Sequence, residues 1–322
     1  MSEEIKHNKR TSIPTRVGFG EGLEMAAKKN CNVIGLGGDI TGSVNMNIFS
    51  DSFPNRFYSL GIAEQNIAGV ATGLALEGKI PVFASYAVFS ALRTTDQIRV
   101  SICYNNLHVI IGGAHAGISV GPDGATHQAL EDIAIMRVLP NMTVLSPCDY
   151  TQTKQAIQAA INNCSGPVYI RFGREAVPDF SPDEPFIVGQ AQQLNYGNDL
   201  TIFATGHMVW ESLEACKLLL KENIKARVIN IHTIKPLDEK AIEKAAIETG
   251  AFVCAEEHQI YGGMGSAIAE AATKTHPVPI EYVGINDRFG ESGPPAELMK
   301  KFNLTSDEIY KKAKQVLKRK HV

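Results

Sequence analysis

The residues best suited to chemistry lie in one glycine-rich stretch, GGAHAGISVGPDGATHQALEDIAIMRVLP, at positions 112–140. His115, Asp123 and His127 stand there among five glycines. Two imidazoles and a carboxylate can bind hydroxyl groups and move protons near neutral pH. The turn residues DGAT before His127, and the helix-like sequence after it, predict that His127 lies at the start of a helix.

A second set combines an acid with aromatic rings. Glu64 in LGIAEQN opens a predicted helix among small and apolar neighbours, which indicates a buried carboxyl group able to share a proton with a ligand nitrogen. Tyr86 and Phe89 in SYAVFSALR follow a predicted strand. Their rings fit either ordinary core packing or a stacking wall for a flat heterocycle.

Three further residues could bind an anion. Arg16, Ser43 and Arg171 lie before, after and at the end of different predicted strands. A guanidinium binds phosphate-like groups in a bidentate manner, so these residues would form an anion site if the fold brought them together. The nearby VGFGEG at 17–22 only superficially resembles a phosphate loop, because no clear strand precedes it.

Positioning these residues requires a parallel sheet. Unbroken apolar segments alternate with amphipathic ones, which predicts parallel strands covered on both faces by helices. The predicted strands are 32–39, 80–86, 107–113, 142–147 and 167–172, and the predicted helices between them include 63–78 and 149–163. Ligands of such sheets bind beyond the carboxyl ends of the strands. The glycine-rich ends after residues 37, 61 and 112 should therefore meet at one rim.

The alternation breaks at GREAVPDFSPDEPFIVGQ, whose three prolines indicate a linker, and then resumes. We therefore predict an α/β protein of two consecutive domains, residues 1–180 and 181–322. Each should be a mostly parallel sheet flanked by helices.

Composition narrows the class of partner. The chain has 322 residues, 20% of them charged, and a net charge of −3 without a basic stripe, which argues against nucleic acid. No apolar run approaches the roughly 20 residues of a membrane helix, and MSEEIKHNKRTSIP lacks the apolar core of a signal peptide.

The six cysteines are irregularly spaced and form no CxxC pair, so we expect reduced thiols in a cytoplasmic protein without a zinc site. The closing KKAKQVLKRKHV should be a solvated helix tail.

These motifs together resemble transketolase, specifically its pyrimidine-binding domain followed by its C-terminal domain. The resemblance runs from TRVGFGEGL to INDRFGESG and so covers nearly the whole chain. GIAEQN matches the family's glutamate motif, which implies that Glu64 hydrogen-bonds N1′ of the thiamine aminopyrimidine and is catalytic. Tyr86 and Phe89 look like the aminopyrimidine wall, and Asp39 in GDITGS looks like a conserved aspartate of the cofactor site. The family's third aromatic falls on Leu92, which is a departure.

The same resemblance implies a substrate site. Arg16, Ser43, His115 and Arg171 would hold the phosphate of the sugar, Asp123 would read a donor hydroxyl, and His127 would act near the reacting carbons. The expected activity is transfer of a two-carbon ketol unit from a ketose phosphate to an aldose phosphate with thiamine diphosphate, as in pentose phosphate metabolism. An apiose-derived or sulfonated sugar would suit the same anion site.

One family feature is missing. Transketolases bind the cofactor diphosphate through Mg²⁺ with a GDG motif and a later asparagine, and neither GGDIT nor GPDGA supplies that pattern. The resemblance therefore implies a split enzyme. An N-terminal transketolase subunit would carry the Mg²⁺ and diphosphate site, in an α₂β₂ assembly, and this chain alone should be nearly inactive.

Three alternatives remain open at this point. The β subunit of 2-oxo acid dehydrogenase E1 shares the layout but lacks the DGATHQ segment. Deoxyxylulose-phosphate synthase has a similar segment but differs near the position of His115. A non-catalytic scaffold subunit would have no use for Glu64, Asp123 and His127 together with both Arg16 and Arg171.

Overall fold

A computed structural model describes residues 11–182 and 184–320. The residues before Thr11, on which the expectation about a signal peptide rests, lie outside that part. The strands it contains are β1 (Ser12–Pro14), β2 (Val33–Gly37), β3 (Phe57–Ser59), β4 (Ile80–Tyr86), β5 (Ile110–Ala114), β6 (Thr143–Leu145), β7 (Val168–Arg171), β8 (Ala176–Pro178), β9 (Gln192–Asn195), β10 (Leu200–Ala204), β11 (Ala226–Asn230), β12 (Thr233–Lys235), β13 (Phe252–Gln259) and β14 (Ile280–Ile285). The α-helices are α1 (Thr15–Lys29), α2 (Asn47–Ser52), α3 (Glu64–Leu76), α4 (Thr95–Gln97), α5 (Asp132–Val138), α6 (Tyr150–Asn163), α7 (Met208–Leu220), α8 (Glu239–Thr249), α9 (Met264–Thr275), α10 (Pro295–Lys301) and α11 (Ser306–Lys320).

Two mostly parallel sheets carry the fold. The first has seven strands in the order β12-β6-β7-β5-β4-β2-β3, and the second has five in the order β14-β13-β10-β11-β9. The central strand β5 is buried along its whole length, as its unbroken apolar sequence predicts. Helices α1 and α6 pack on one face of the first sheet, and α3 and α5 contribute to the core on the other face. The predicted α/β class with two consecutive sheet domains is confirmed.

The two halves of the chain are more intertwined than a simple linker would make them. Strand β12, from the second half, pairs antiparallel with β6 at the edge of the first sheet. Within the predicted linker, β8 pairs antiparallel with β1. Buried Phe180 and Phe186 also anchor this segment. The segment is therefore packed against the protein instead of being a free tether.

The glycines of VGFGEG lie inside helix α1 and serve helix packing. A Cβ on Gly22 would lie 2.4 Å from Ile157 Cγ2 of α6, and one on Gly18 would lie 2.3 Å from the Tyr150 carbonyl oxygen. Without these glycines α1 could not approach α6 so closely. The segment does not form a phosphate loop, as its sequence context indicated.

The predicted helix start at His127 is wrong, because α5 begins at Asp132. The Ala129 carbonyl is taken up by a long-range contact that replaces its helical hydrogen bond, and the Gln128 side chain ties the same segment to distant residues. The Gln128 side chain donates to the Ile118 and Glu291 carbonyls, and the Ala129 carbonyl accepts from the Gly117 amide at 2.9 Å. Tertiary pairing thus delays the helix by five residues.

Residues 311–320 of the closing basic run belong to helix α11, whose cations pair with acids of the same domain. Lys312 and Arg319 bind Glu281 at 3.1 and 2.7 Å, and Lys314 binds Glu222 at 2.7 Å. These three cations are therefore paired within their own domain. No helix in the described part of the chain is both long enough and apolar enough to cross a bilayer.

Candidate functional site

The predicted rim forms at the carboxyl ends of three adjacent parallel strands. Ser43 follows β2, Tyr86 ends β4, and His115 comes directly after β5. Parallel neighbours end on the same edge of a sheet, so residues far apart in sequence meet there.

An aromatic and imidazole cluster occupies this rim. The Tyr86 and His115 rings stack with centroids 4.5 Å apart, and the His127 ring stands edge-on to Tyr86 and Phe89 at 5.8 and 5.4 Å. The Tyr86 hydroxyl and Ser43 Oγ share a hydrogen bond of 3.0 Å. We call Ser43, Tyr86, Phe89, His115 and His127 the rim cluster.

His115 is the buried centre of this cluster. It is 2% exposed and has left-handed backbone at φ 52°, and the contact that reaches its ring nitrogens is with the Ser43 backbone. Burial, and then the cationic side chains of Arg16 and Arg174, lower its pKa to about 4. The ring is therefore neutral at pH 7.

Two arginines make the surroundings of the cluster electropositive. Arg16 donates to the Ser43 carbonyl at 2.9 Å. Arg174, which we did not predict as a site residue, lies 3.4 Å from the Asp123 carboxylate and also donates to the Val120 carbonyl at 3.3 Å. The sequence signal for Arg174 is its position three residues after Arg171, in the segment IRFGRE that ends the same strand.

Arg171 does not join the cluster. Its guanidinium is 6% exposed and binds Asp132 at 2.9 Å, while its Nη2 donates to the Ala129 and Glu257 carbonyls. Asp132 is fully buried. The expectation that Arg171 binds an anionic ligand does not match these contacts, because the side chain serves an internal ion pair.

Glu64 is the first residue of α3 and is 3% exposed. Its Oε1 accepts from Ser85 Oγ at 3.4 Å, and its Oε2 accepts from Arg93 Nη1 at 2.8 Å. Arg93 also lies over the Phe89 ring, with Cζ 4.2 Å from the centroid. Arg93 is 44% exposed, so it has solvent to move into. A buried carboxylate capped by a half-exposed cation has the chemistry to share a proton with a nitrogen heterocycle.

Two other expected positions lie outside the rim cluster. Asp39 is exposed, with left-handed backbone at φ 67°, and no hydrogen bond or ion pair between described residues joins it to the cluster. Leu92 packs against the main apolar core. Within residues 11–182 and 184–320, no group of three or more His, Cys, Asp or Glu side chains is arranged to hold a metal ion.

Comparison with known proteins is consistent along the whole chain. Residues 11–179 match the transketolase pyrimidine-binding domain, and residues 189–309 match the transketolase C-terminal domain. The chain is 42% identical over 296 residues to the 6-deoxy-6-sulfo-D-fructose transketolase subunit SqwH of Clostridium sp. (strain MSTE9), covering 92% of each chain. It is 41% identical over 308 residues to a putative transketolase C-terminal section of Methanocaldococcus jannaschii, covering 94% of this chain and 96% of the relative.

A solved structure agrees in both sequence and shape. A split-gene transketolase, described as an inactive β4 tetramer, superposes with a TM-score of 0.90 at 44% identity, covering 96% of this chain and 99% of that one. Together, the rim geometry, the two matching domains and these full-length similarities show that the chain belongs to the transketolase family.

Proposed function

We propose that this chain is the pyrimidine-binding subunit of a split, thiamine diphosphate-dependent transketolase, which transfers a two-carbon ketol unit between anionic sugars. The observation that carries the proposal is the buried Glu64 carboxylate, whose charged partner Arg93 is 44% exposed, at the same rim as a neutral, buried His115. A buried acid whose cation can move into solvent can turn to a ligand nitrogen without losing its place in the fold.

The cofactor side of the proposal uses Glu64, Phe89 and Tyr86. Arg93 would swing into solvent, leaving Glu64 Oε2 to hold a proton at the aminopyrimidine nitrogen N1′. The aromatic rings would line the heterocycle and exclude water from that contact. Thiamine diphosphate, when bound, supplies the electron sink for breaking the carbon–carbon bond. Asp39 stays a proposed, more peripheral part of the cofactor site.

The substrate side uses the rest of the rim cluster. Arg16 and Arg174 provide positive charge for the anionic end of the sugar, with Ser43 between strands as a hydroxyl donor. Asp123 is placed by Arg174 to accept from a sugar hydroxyl. His115 and His127 would move or hold protons at the substrate oxygens. Arg174 thus takes the anion-binding role first expected for Arg171.

A separate N-terminal subunit would hold Mg²⁺ and the diphosphate in an α₂β₂ assembly. Support comes from the relatives, which are themselves named as transketolase subunits or sections and match this chain over nearly their full length. The six cysteines are all free thiols, which suits a cytoplasmic enzyme. The name of the Clostridium relative makes a sulfonated ketose a candidate donor beside a ketose phosphate, since both offer an anion with three oxygens.

Reconstitution tests the proposal. The chain alone, and the chain mixed with the N-terminal subunit, would be assayed with thiamine diphosphate and Mg²⁺. The donors would be xylulose 5-phosphate, 6-deoxy-6-sulfofructose and pyruvate, with ribose 5-phosphate as acceptor for the two sugars and glyceraldehyde 3-phosphate as acceptor for pyruvate. We expect ketol transfer from a sugar anion in the mixture only. Full activity of the chain alone, or turnover of pyruvate in place of the sugars, would contradict the proposal.

A further inference from the structure

The second domain reaches into the site through the loop that carries the histidines. This histidine loop, residues 115–128, belongs to the first domain and follows β5. Glu257 lies on β13 of the second domain and is 3% exposed, and its Oε1 accepts from the Ser119 amide at 2.6 Å. Ser119 lies between His115 and Asp123.

The loop backbone is shaped to receive this carboxylate. Gly117 has φ 89°, and a Cβ there would lie only 2.3 Å from the Glu257 carboxyl carbon. A side chain at position 117 would therefore collide with the carboxylate as well as strain the backbone. The close approach places a carboxyl oxygen 2.6 Å from the Ser119 amide in a buried environment, where such a hydrogen bond is strong.

The same carboxylate also lies beside the strand end that carries Arg174. Its Oε2 is 3.5 Å from His207 Nδ1, and the His207 ring packs directly against Gly173, where a Cβ would lie 2.6 Å from the ring. Burial lowers the pKa of His207, so its ring is neutral and can donate from Nδ1 to the carboxylate. Glu257 thus stands between the segments bearing His115 and Arg174.

Further contacts hold the loop from the same side. Ser292 Oγ donates to the Pro122 carbonyl at 2.5 Å, next to Asp123. Gln128 Nε2 donates to the Glu291 carbonyl at 2.9 Å, next to His127. Asp123 and His127 therefore each have a sequence neighbour tied to the second domain.

From this arrangement we infer that Glu257 is a positioning residue. Its carboxylate, contributed by the C-terminal domain, sets the placement of the histidine loop and thereby the affinity for the sugar anion. The inference rests on the proposed function for its effect on substrate, but the loop placement itself can be measured without catalysis.

A neighbouring residue supplies a matched control. Glu256 precedes Glu257 on β13, is 1% exposed, and accepts from the Met264 and Gly265 amides at 2.7 and 2.8 Å at the start of α9. It is the same residue type with the same burial and the same kind of partner. None of its hydrogen bonds within the described part of the chain reaches the histidine loop.

The experiment compares Glu257→Ala, Glu257→Gln and Glu256→Ala. Amide hydrogen exchange on the chain alone should show roughly tenfold or greater loss of protection in peptides covering 117–128 for Glu257→Ala, the effect of losing one hydrogen bond to a charged acceptor. Glu257→Gln keeps an acceptor oxygen and should restore most of that protection. Glu256→Ala should leave these peptides within about twofold of the unaltered chain after correction for global stability. In the reconstituted pair, Glu257→Ala should raise the KM for the sugar anion about tenfold and leave the Kd of thiamine diphosphate unchanged.

Equal loop exchange in Glu257→Ala and Glu256→Ala would overturn the inference, as would a glutamine variant as damaged as the alanine one. If Glu257→Ala does not fold, Ser292→Ala removes an exposed contact to the same loop. It should then give a smaller increase in exchange at 117–128, and no increase would also overturn the inference. Altered exchange in a pair that never transfers a ketol unit would refute the proposed function and keep the loop contact. Unchanged exchange at 117–128 and an unchanged KM in an active pair would refute the positioning role of Glu257 and leave the proposed function intact.

Discussion

Glu64→Gln separates the chemical role of the buried carboxylate from its structural role. The substitution keeps the size of the side chain and one acceptor oxygen, but it removes the charge that Arg93 Nη1 contacts at 2.8 Å. A hydrogen bond to a charged group contributes roughly 1.5–3 kcal/mol when buried, and less here because Arg93 is 44% exposed and can be hydrated instead. We therefore expect the free energy of unfolding to fall by only about 1 kcal/mol.

The effect on turnover should be much larger. An amide cannot take up the proton that Glu64 would hold at the aminopyrimidine, and loss of one positioned acid or base costs about 10²–10⁴ in rate. The assays are denaturant unfolding of the chain alone and ketol transfer by the reconstituted pair. Glu270→Gln is the matched control, because Glu270 pairs with Arg137 at 2.5 Å on the surface and away from the rim. Turnover of Glu64→Gln within about threefold of the unaltered pair would refute the role assigned to this carboxylate.

The remaining predictions concern charge, pH and packing. His115 has a native pKa of about 4 against an ordinary 6.5. Only the unfolded chain therefore binds this proton between those values, and stability falls as the pH drops through that window. His115→Asn should remove about 3 kcal/mol of the loss between pH 7 and pH 4 in denaturant titrations, and an unchanged pH slope would contradict this. Arg174→Gln should raise the KM for anionic ketoses roughly tenfold with little loss of stability. Arg171→Met should lower the free energy of unfolding by about 3–5 kcal/mol, because it leaves the buried Asp132 carboxylate without its cation. A raised KM for Arg171→Met and a large loss of stability for Arg174→Gln would instead identify Arg171 as the anion ligand. Gly22→Ala should destabilise the chain by about 1–3 kcal/mol, because the added Cβ would collide with Ile157. Gly73→Ala is the control: it has open space around it in α3, so it should stabilise the chain by about 0.5–1 kcal/mol in the same thermal or denaturant assay.

Local patterns predicted most of the elements that build the rim. Strand β4 occupies the predicted 80–86, and helix α6 begins after Asp149, whose side chain caps it by accepting from the Gln152 amide at 2.9 Å. Such features depend on residues close in sequence, which is why they can be read without the fold. The start of α5 could not be predicted in this way, because the contacts that delay it come from residues 117, 118 and 291.

The candidate site also combines features that local sequence predicts with features that depend on long-range contacts. Residue types and motifs indicated Glu64, His115 and His127 and the chemistry of a proton-sharing acid beside imidazoles. The direction of a side chain at a strand end depends on the fold, so the sequence alone does not show that Arg171 points inward and Arg174 outward. The two differ only in whether the guanidinium faces buried Asp132 or the electropositive rim.

The amino-acid sequence by itself thus determined the fold class and the sheet-and-helix pattern of the two consecutive domains, and it predicted the residues proposed for the chemistry, because alternation, caps and motifs are short-range properties. Only the tertiary structure decided which arginine faces the rim, that Arg93 covers Glu64, and that Glu257 of one domain holds the histidine loop of the other. These are contacts between residues separated by 29 to 138 positions. Such contacts arise from how whole elements pack, and no local pattern encodes them.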